Sequence, residues 1–355
     1  MAERRGIGCG GLVAAGLAAL LLVLAAVTPS PYVVERPGPV VDALGEIEVV
    51  RITGTETFET RGSLNVLSVT VSGTPEKPST WLSLLGPMLD PTRSIVPVTD
   101  VYPNGVTSED RTAMNEALMR GSQVSAAAAA LGELGETVGG TVRIVDVGEG
   151  GPADGVLRVG DAVLAAAGTP VAGVGELRAV LAEHGADAPV VLEIDREGEL
   201  VEVSARPVLD ESGDPVLRVA ATTEIELPFD VALELDRIGG PSAGMIFALA
   251  VYDVLTPGAL TGGLEVSGTG TITESGEVGA IGGLQQKIWG ASLAGTDLLL
   301  VPVENCRDLP ERLPEGMMIA PVATLAEAIA AIETAADGGT PPGVERCTEA
   351  STALR

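Results

Sequence analysis

Aromatic side chains are nearly missing from this chain of 355 residues: Phe, Tyr and Trp together make up 2% of it. Base stacking has little material to work with, and a formal net charge of −28 removes the cationic footprint that phosphate binding needs. Nucleic acid is excluded as a partner, as is adhesion to an anionic membrane by charge alone. The single histidine, His184, rules out multi-histidine metal sites, and no metal or cofactor is expected. Only two lysines occur. Lys77 is followed by Pro78 and Lys287 by Ile288, so neither completes the Gly-Lys-Ser/Thr of a phosphate-cradling loop. Three cysteines, Cys9, Cys306 and Cys347, are too few for a disulfide framework and wrongly spaced for a zinc ribbon. Cys306 and Cys347 pair if they face an oxidising compartment, and otherwise are two unrelated thiols.

A hydrophobic fraction of 46% excludes a disordered chain, and the length accommodates two or three domains. No charge occurs from Ile7 to Val27, about 20 apolar residues preceded by Arg4 and Arg5. This predicts a single transmembrane anchor over 6–28, with residues 1–5 cytoplasmic and the rest of the chain outside. A cleaved signal peptide is the rival reading, because Ala25-Ala26 loosely resembles a cleavage site; the run is longer than a signal core, which favours the anchor.

Beyond the anchor, residues 29–137 form an N-terminal ectodomain region. Pro29, Pro31, Pro37 and Pro39 predict an extended spacer, residues 46–73 alternate like strands, and 108–134 read as a helix carrying the alanine run Ala126–Ala130. A compact unit follows over 138–208, with strands at 141–147, 189–195 and 200–206 and a helix at 174–183. Its Pro152-Ala-Asp-Gly, Leu157, Gly160-Asp161 and following apolar strand resemble a PDZ domain of the bacterial protease-associated kind. Such domains bind extended peptides by strand addition, although no Gly-Leu-Gly-Phe-type carboxylate loop stands out. His184 falls at the end of the predicted helix and reads as a solvated terminal residue.

Two motifs carry chemistry. Gly239-Gly-Pro-Ser-Ala-Gly244 precedes the apolar run Met245–Tyr252, which sets Ser242 at the start of a buried helix. Free amides and the positive dipole end stabilise negative charge there; ordinary N-capping is the bland alternative. Lys287 follows Gly282-Gly-Leu-Gln-Gln in a stretch without other charge. A buried lysine can lose its proton and arginine cannot, so a site needing a general base selects lysine.

Pro241-Ser-Ala-Gly244, Thr269-Gly270, Gly282-Gly283 with Lys287, and Leu299-Leu-Val-Pro-Val-Glu-Asn305 resemble, in order and spacing, the signature of the Lon-type Ser/Lys proteolytic domain. With the anchor and PDZ-like unit ahead of them, the chain resembles membrane-anchored, PDZ-containing, Lon-like proteases (YlbL-like). The resemblance implies an α+β proteolytic domain over 215–335 and a tail over 336–355. It makes Ser242 the nucleophile, Lys287 the general base and Thr269 a hydroxyl that orients the amine, with the Ser242 and Ala243 amides holding the oxyanion. Many Lon domains carry an acidic residue where this chain has Gly239. Implied partners are protein or peptide substrates, the membrane, and a homo-oligomer, hexameric by analogy. A non-catalytic PDZ scaffold of the cell envelope is the alternative.

Overall fold

The computed structural model describes residues 9–45, 49–103, 105–136, 138–210, 213–233, 239–310, 312–345 and 347. In chain order the principal helices are α1 (Cys9–Val27), α2 (Ser108–Glu133), α3 (Val174–His184), α4 (Gly244–Leu255), α5 (Leu284–Leu293) and α6 (Leu325–Ala336). The principal strands are β1 (Tyr32–Asp42), β2 (Ser63–Ser72), β3 (Ser94–Pro97), β4 (Gly139–Val147), β5 (Ala162–Ala166) and β6 (Val190–Arg196). They continue with β7 (Glu199–Ala205), β8 (Val219–Glu226), β9 (Glu265–Gly268), β10 (Leu298–Pro302) and β11 (Met318–Val322). The chain divides into two compact units, 134–230 and the remainder.

The larger unit is built on a mixed sheet ordered β11-β10-β9-β2-β1-β3, parallel from β11 to β2 and antiparallel beyond. The run Leu298-Leu-Leu-Val301 has no polar face, as expected of a strand covered on both sides. Alternate side chains do point into two different cores. Leu298 and Leu300 meet α4 and α6 residues such as Phe247 and Ile332, while Leu299 and Val301 meet Leu284 and Ile288 of α5. The result is three layers, with α5 on one face and α4 with α2 and α6 on the other.

From Met245 to Val251 helix α4 is apolar around its whole circumference and fully buried. Such a helix needs close neighbours. Met119, Ser122, Ala126, Ala129 and Ala130 of α2 recur at helical spacing and are all buried, giving a stripe of mostly small side chains against the same core. The approach is tight at Gly244, where an added Cβ would lie 2.6 Å from Ser122 Oγ.

The smaller unit is an antiparallel sheet ordered β8-β4-β5-β6-β7 with α3 packed on it, closed around Ile144, Val163, Leu177, Leu192 and Ile194. Asp161 accepts from both Nε (2.8 Å) and an Nη (2.7 Å) of Arg196, which keeps its buried carboxylate paired.

Several expectations differ from the architecture. The 29–39 stretch is not a free spacer: β1 lies inside the sheet, paired to β2 and β3. Pro37 and Pro39 fall at a register shift between Pro37 and Val40, an irregularity of the kind at which strands accept proline. Residues 29–137 do not form a region of their own, since β1 and β2 belong to the same sheet as β9. The boundary expected at 215 also moves, because Val219–Glu226 pairs with β4 in the smaller unit. Strand pattern reveals a strand but not its partner. Side chains of α1 are described from Gly16 onward, and among the described residues no helix is long and apolar enough to cross a membrane.

The small-residue stripe of α2 yields a direct expectation. Ala129→Leu forces extra carbons into a filled core, which costs about 1–3 kcal/mol. Thermal unfolding followed by circular dichroism should show a lower midpoint, and an unchanged midpoint would mean that the α2–α4 seam has room to spare.

Candidate active site

Strand β9 ends at Gly268, and the site forms just past its carboxyl end, the usual place for a crevice in an open sheet with parallel strands. The following residue, Thr269, is fully buried. The start of α4 comes in from one face of the sheet and α5 from the other. Gly240, at φ +92°, turns the chain into a short 3-10 turn, Pro241–Ala243, that runs directly into α4. Ser242 sits in that turn, clamped by its neighbours. Its carbonyl accepts from Gly270 N (2.9 Å) and Thr269 Oγ1 (3.0 Å), and Pro241 O accepts from Ser122 Oγ (3.1 Å).

Helix α5 brings Lys287 to the same point. Its N-cap, Gly283, has φ +66°, and a Cβ there would lie 2.7 Å from Val69 Cγ2, so glycine alone fits. The loop ahead of it is fixed by buried Asn305, which accepts from Ile281 N (2.8 Å) and donates to Ile281 O (2.9 Å). Lys287 Nζ is hydrogen-bonded to Ser242 Oγ at 2.8 Å and to Thr269 Oγ1 at 2.8 Å.

The electrostatics follow from burial. Lys287 is only 3% exposed, and among the described residues no carboxylate forms an ion pair with it. Desolvation without a countercharge lowers its pKa from 10.5 to about 7. A neutral amine that gives one N–H to Thr269 keeps its lone pair for the Ser242 hydroxyl, the arrangement of a nucleophile and its base. Pro241 has no N–H, Gly244 N returns to Pro241 O, and Met245 N is taken by Gly270 O. The Ser242 and Ala243 amides precede the helical ladder, so the helix itself supplies them no partner.

The pair opens into a cleft of about 400 Å³. One wall is the stretch Leu67–Val71 of β2. Strand β9 pairs only with Ser63 to Val66, so among the described residues no strand covers Leu67–Val71 on the side away from β1. Glu35, Asp100, Arg111 and Asn115 also line the cleft. Burial raises the Glu35 pKa, and the Arg111 charge opposes that rise. The sequence reading missed these residues and the β2 edge. It did single out Ser242, Ala243, Thr269 and Lys287, which the fold brings together at one point. His184 lies in the smaller unit, hydrogen-bonded to Ala188 O at 3.3 Å, and has no part in this cluster.

Comparison with known proteins adds two domain types. Residues 237–334 match the family model of the Lon protease (S16) C-terminal proteolytic domain, and residues 105–206 match that of the PDZ domain. The latter match begins just ahead of α2 and so takes in the whole of that helix, upstream of the compact unit at 134–230. The chain is 43% identical over 86 residues to Lon protease 1 of Hydrogenovibrio crunogenus, covering 23% of this chain and 10% of the relative. It is 42% identical over 81 residues to Lon protease 1 of Bacillus subtilis, covering 22% and 10%. The chain thus spans about a tenth of the curated relatives it matches. Among solved structures, the PDZ domain of an SdrC-like protein from Listeria monocytogenes aligns with 22% of this chain and 85% of that one, at 17% identity and a TM-score of 0.22. The chain carries a Lon-type proteolytic domain and a PDZ domain.

Burying an amine has a stability consequence with a definite sign. The unfolded chain holds the Lys287 proton up to about 10.5, the folded one only to about 7. Folding therefore opposes protonation most strongly below pH 7, and the penalty fades between the two values. Lys287→Met, similar in volume and never charged, should melt several degrees higher than the parent at pH 6, with the gap closing towards pH 10. A gap that is absent at pH 6, or independent of pH, would show that the amine is not desolvated as described.

Proposed function

We propose that this protein is an ATP-independent, membrane-anchored serine endopeptidase that cleaves extended segments of extracytoplasmic proteins with a Ser242–Lys287 dyad. The observation that carries the proposal is the 2.8 Å bond between Ser242 Oγ and a buried lysine whose pKa is lowered to about 7. Neutral Lys287 takes the Ser242 proton as Oγ attacks the scissile carbonyl carbon. The oxyanion rests on the Ser242 and Ala243 amides at the positive end of α4. The C–N bond then breaks and Lys287 gives its proton to the leaving amine, leaving an acyl ester on Ser242. A water molecule, deprotonated by Lys287, hydrolyses the ester and restores both groups. Thr269 holds the amine on course throughout. Absence of a Gly-Lys-Ser/Thr motif supports ATP independence.

An extended substrate suits the cleft, because the uncovered Leu67–Val71 edge offers backbone groups to a peptide strand. The PDZ unit selects or delivers such segments, or gates the site. Anchoring is supported by the uncharged Ile7–Val27 run and by α1, where consecutive residues Leu20 to Leu24 point to every side and are all 46–65% exposed. Arg4 and Arg5 support an orientation with the N-terminus inside. The disulfide joining Cys306 to Cys347 supports an oxidising location for the rest. A ring of subunits, six by analogy with Lon, is part of the proposal.

The test uses an unfolded protein substrate and the full chain without nucleotide. Ser242→Ala and Lys287→Arg should both fold and both lose cleavage. Arginine keeps the charge but stays protonated, so it accepts no proton. The double variant should be little worse than either, since the two act as a unit. A folded wild type that binds peptides but cleaves none would favour the scaffold reading, and cleavage by Lys287→Arg would assign the base to another residue.

A further inference from the structure

The chain from Pro78 to Leu89 carries no charge, bounded by Lys77 and Asp90. It folds as two single 3-10 turns, Leu82–Leu84 and Pro87–Leu89, pinned to the larger unit by buried Leu84 and Pro87. Its remaining apolar side chains face outward: Trp81, Leu82, Leu85, Met88 and Leu89, the last 88% exposed. Soluble surfaces seldom gather a patch of this kind without a partner. Its backbone is also prepared for a dry setting. The amides of Ser83, Leu84, Leu85, Leu89 and Asp90 all bond within the segment, and Ser83 Oγ and Thr80 satisfy each other.

The position of the patch says what covers it. The Leu82–Leu84 turn packs beside α1. Where the chain leaves α1, Pro29 bridges to Thr80, Ser30 N donates to Ser79 O at 2.8 Å, and Tyr32 meets Trp81 edge-on with ring centroids 6.0 Å apart. The exposed apolar surface of α1 therefore continues onto the Trp81–Leu89 turns, with a tryptophan and a tyrosine at the junction, the residue types that settle at a bilayer's polar boundary. The geometry points to residues 81–89 as a second membrane contact, a short apolar lobe that enters the headgroup and acyl boundary of the same bilayer that α1 crosses. This inference rests on the anchor reading of α1. Attraction is apolar rather than electrostatic, given the net charge of −28 and the absence of charge within the lobe.

The chain that follows the lobe meets α5. Pro91 O, just past the lobe, accepts from Gln285 Nε2 (3.0 Å), and Ser94 Oγ accepts from Gln286 Nε2 (2.6 Å). Both glutamines lie within two residues of Lys287 on α5, so the segment that leaves the lobe is held to the lysine-bearing helix.

The experiment uses the full chain reconstituted in phosphatidylcholine vesicles, with acyl chains either plain or brominated. The protein has two tryptophans, Trp81 and Trp289, so the emission lost in folded Trp81→Phe isolates the Trp81 signal. In brominated vesicles that signal should lose most of its intensity, and adding anionic phosphatidylglycerol should leave the loss unchanged. A chain that stays with the vesicles through alkaline carbonate while its Trp81 signal is equal in both lipids overturns the lobe and leaves the anchor standing. Equal signals combined with shielding of Trp81 from aqueous acrylamide overturn it in favour of a protein partner. A chain that does not stay with the vesicles overturns both readings.

Discussion

Burying a primary amine beside a serine hydroxyl, with no countercharge, is the constraint on which the larger unit depends. An ammonium is expensive in an apolar setting, and the cost is relieved here by release of the proton rather than by an ion pair. Such relief requires that Lys287 stay dry and that its nitrogen find partners other than water. Thr269 and Ser242 are those partners. An acidic neighbour would stabilise the charged form and raise the pKa again. Among the described residues no carboxylate pairs with Lys287, and desolvation is what lowers its pKa.

The three-layer build makes that constraint achievable. A serine from one face of a sheet and a base from the other can meet only past the end of a strand. The short strand β9, ending at Gly268, provides the opening. Lysine's long, flexible stem then spans the gap that two helices on opposite faces leave between them. Close packing holds the ends of both helices. Small residues of α2 admit α4, Gly283 admits the start of α5 against Val69, and Asn305 secures the loop between them. Buried, strained or desolvated groups of this kind lower stability for the sake of reactivity.

Local features were legible in the sequence, long-range pairings were not. Ser242, Thr269 and Lys287 stand out because glycines frame them and because lysine is scarce in this chain. The alanine run of α2 announces a packed helix for the same local reason. Residues such as Glu35, Arg111 and Asn115 lie more than a hundred positions ahead of the motif they face, and no spacing rule connects them. Val219–Glu226 is plainly a strand, yet its choice of β4 is made by tertiary packing. Likewise Pro37 and Pro39 suggested a free spacer, because sequence does not reveal the register shift between Pro37 and Val40 that lets this stretch join a sheet.

Since the chain has only two lysines, its central property can be read without any substrate. Protein carrying [6-¹³C]lysine gives two side-chain signals, and the one lost in Lys287→Met belongs to the dyad. Its chemical shift, followed from pH 5 to 11, is predicted to titrate with a midpoint at about 7. A midpoint near the ordinary lysine value of about 10.4 would contradict the account, because Ser242 would then have no base to take its proton near neutral pH.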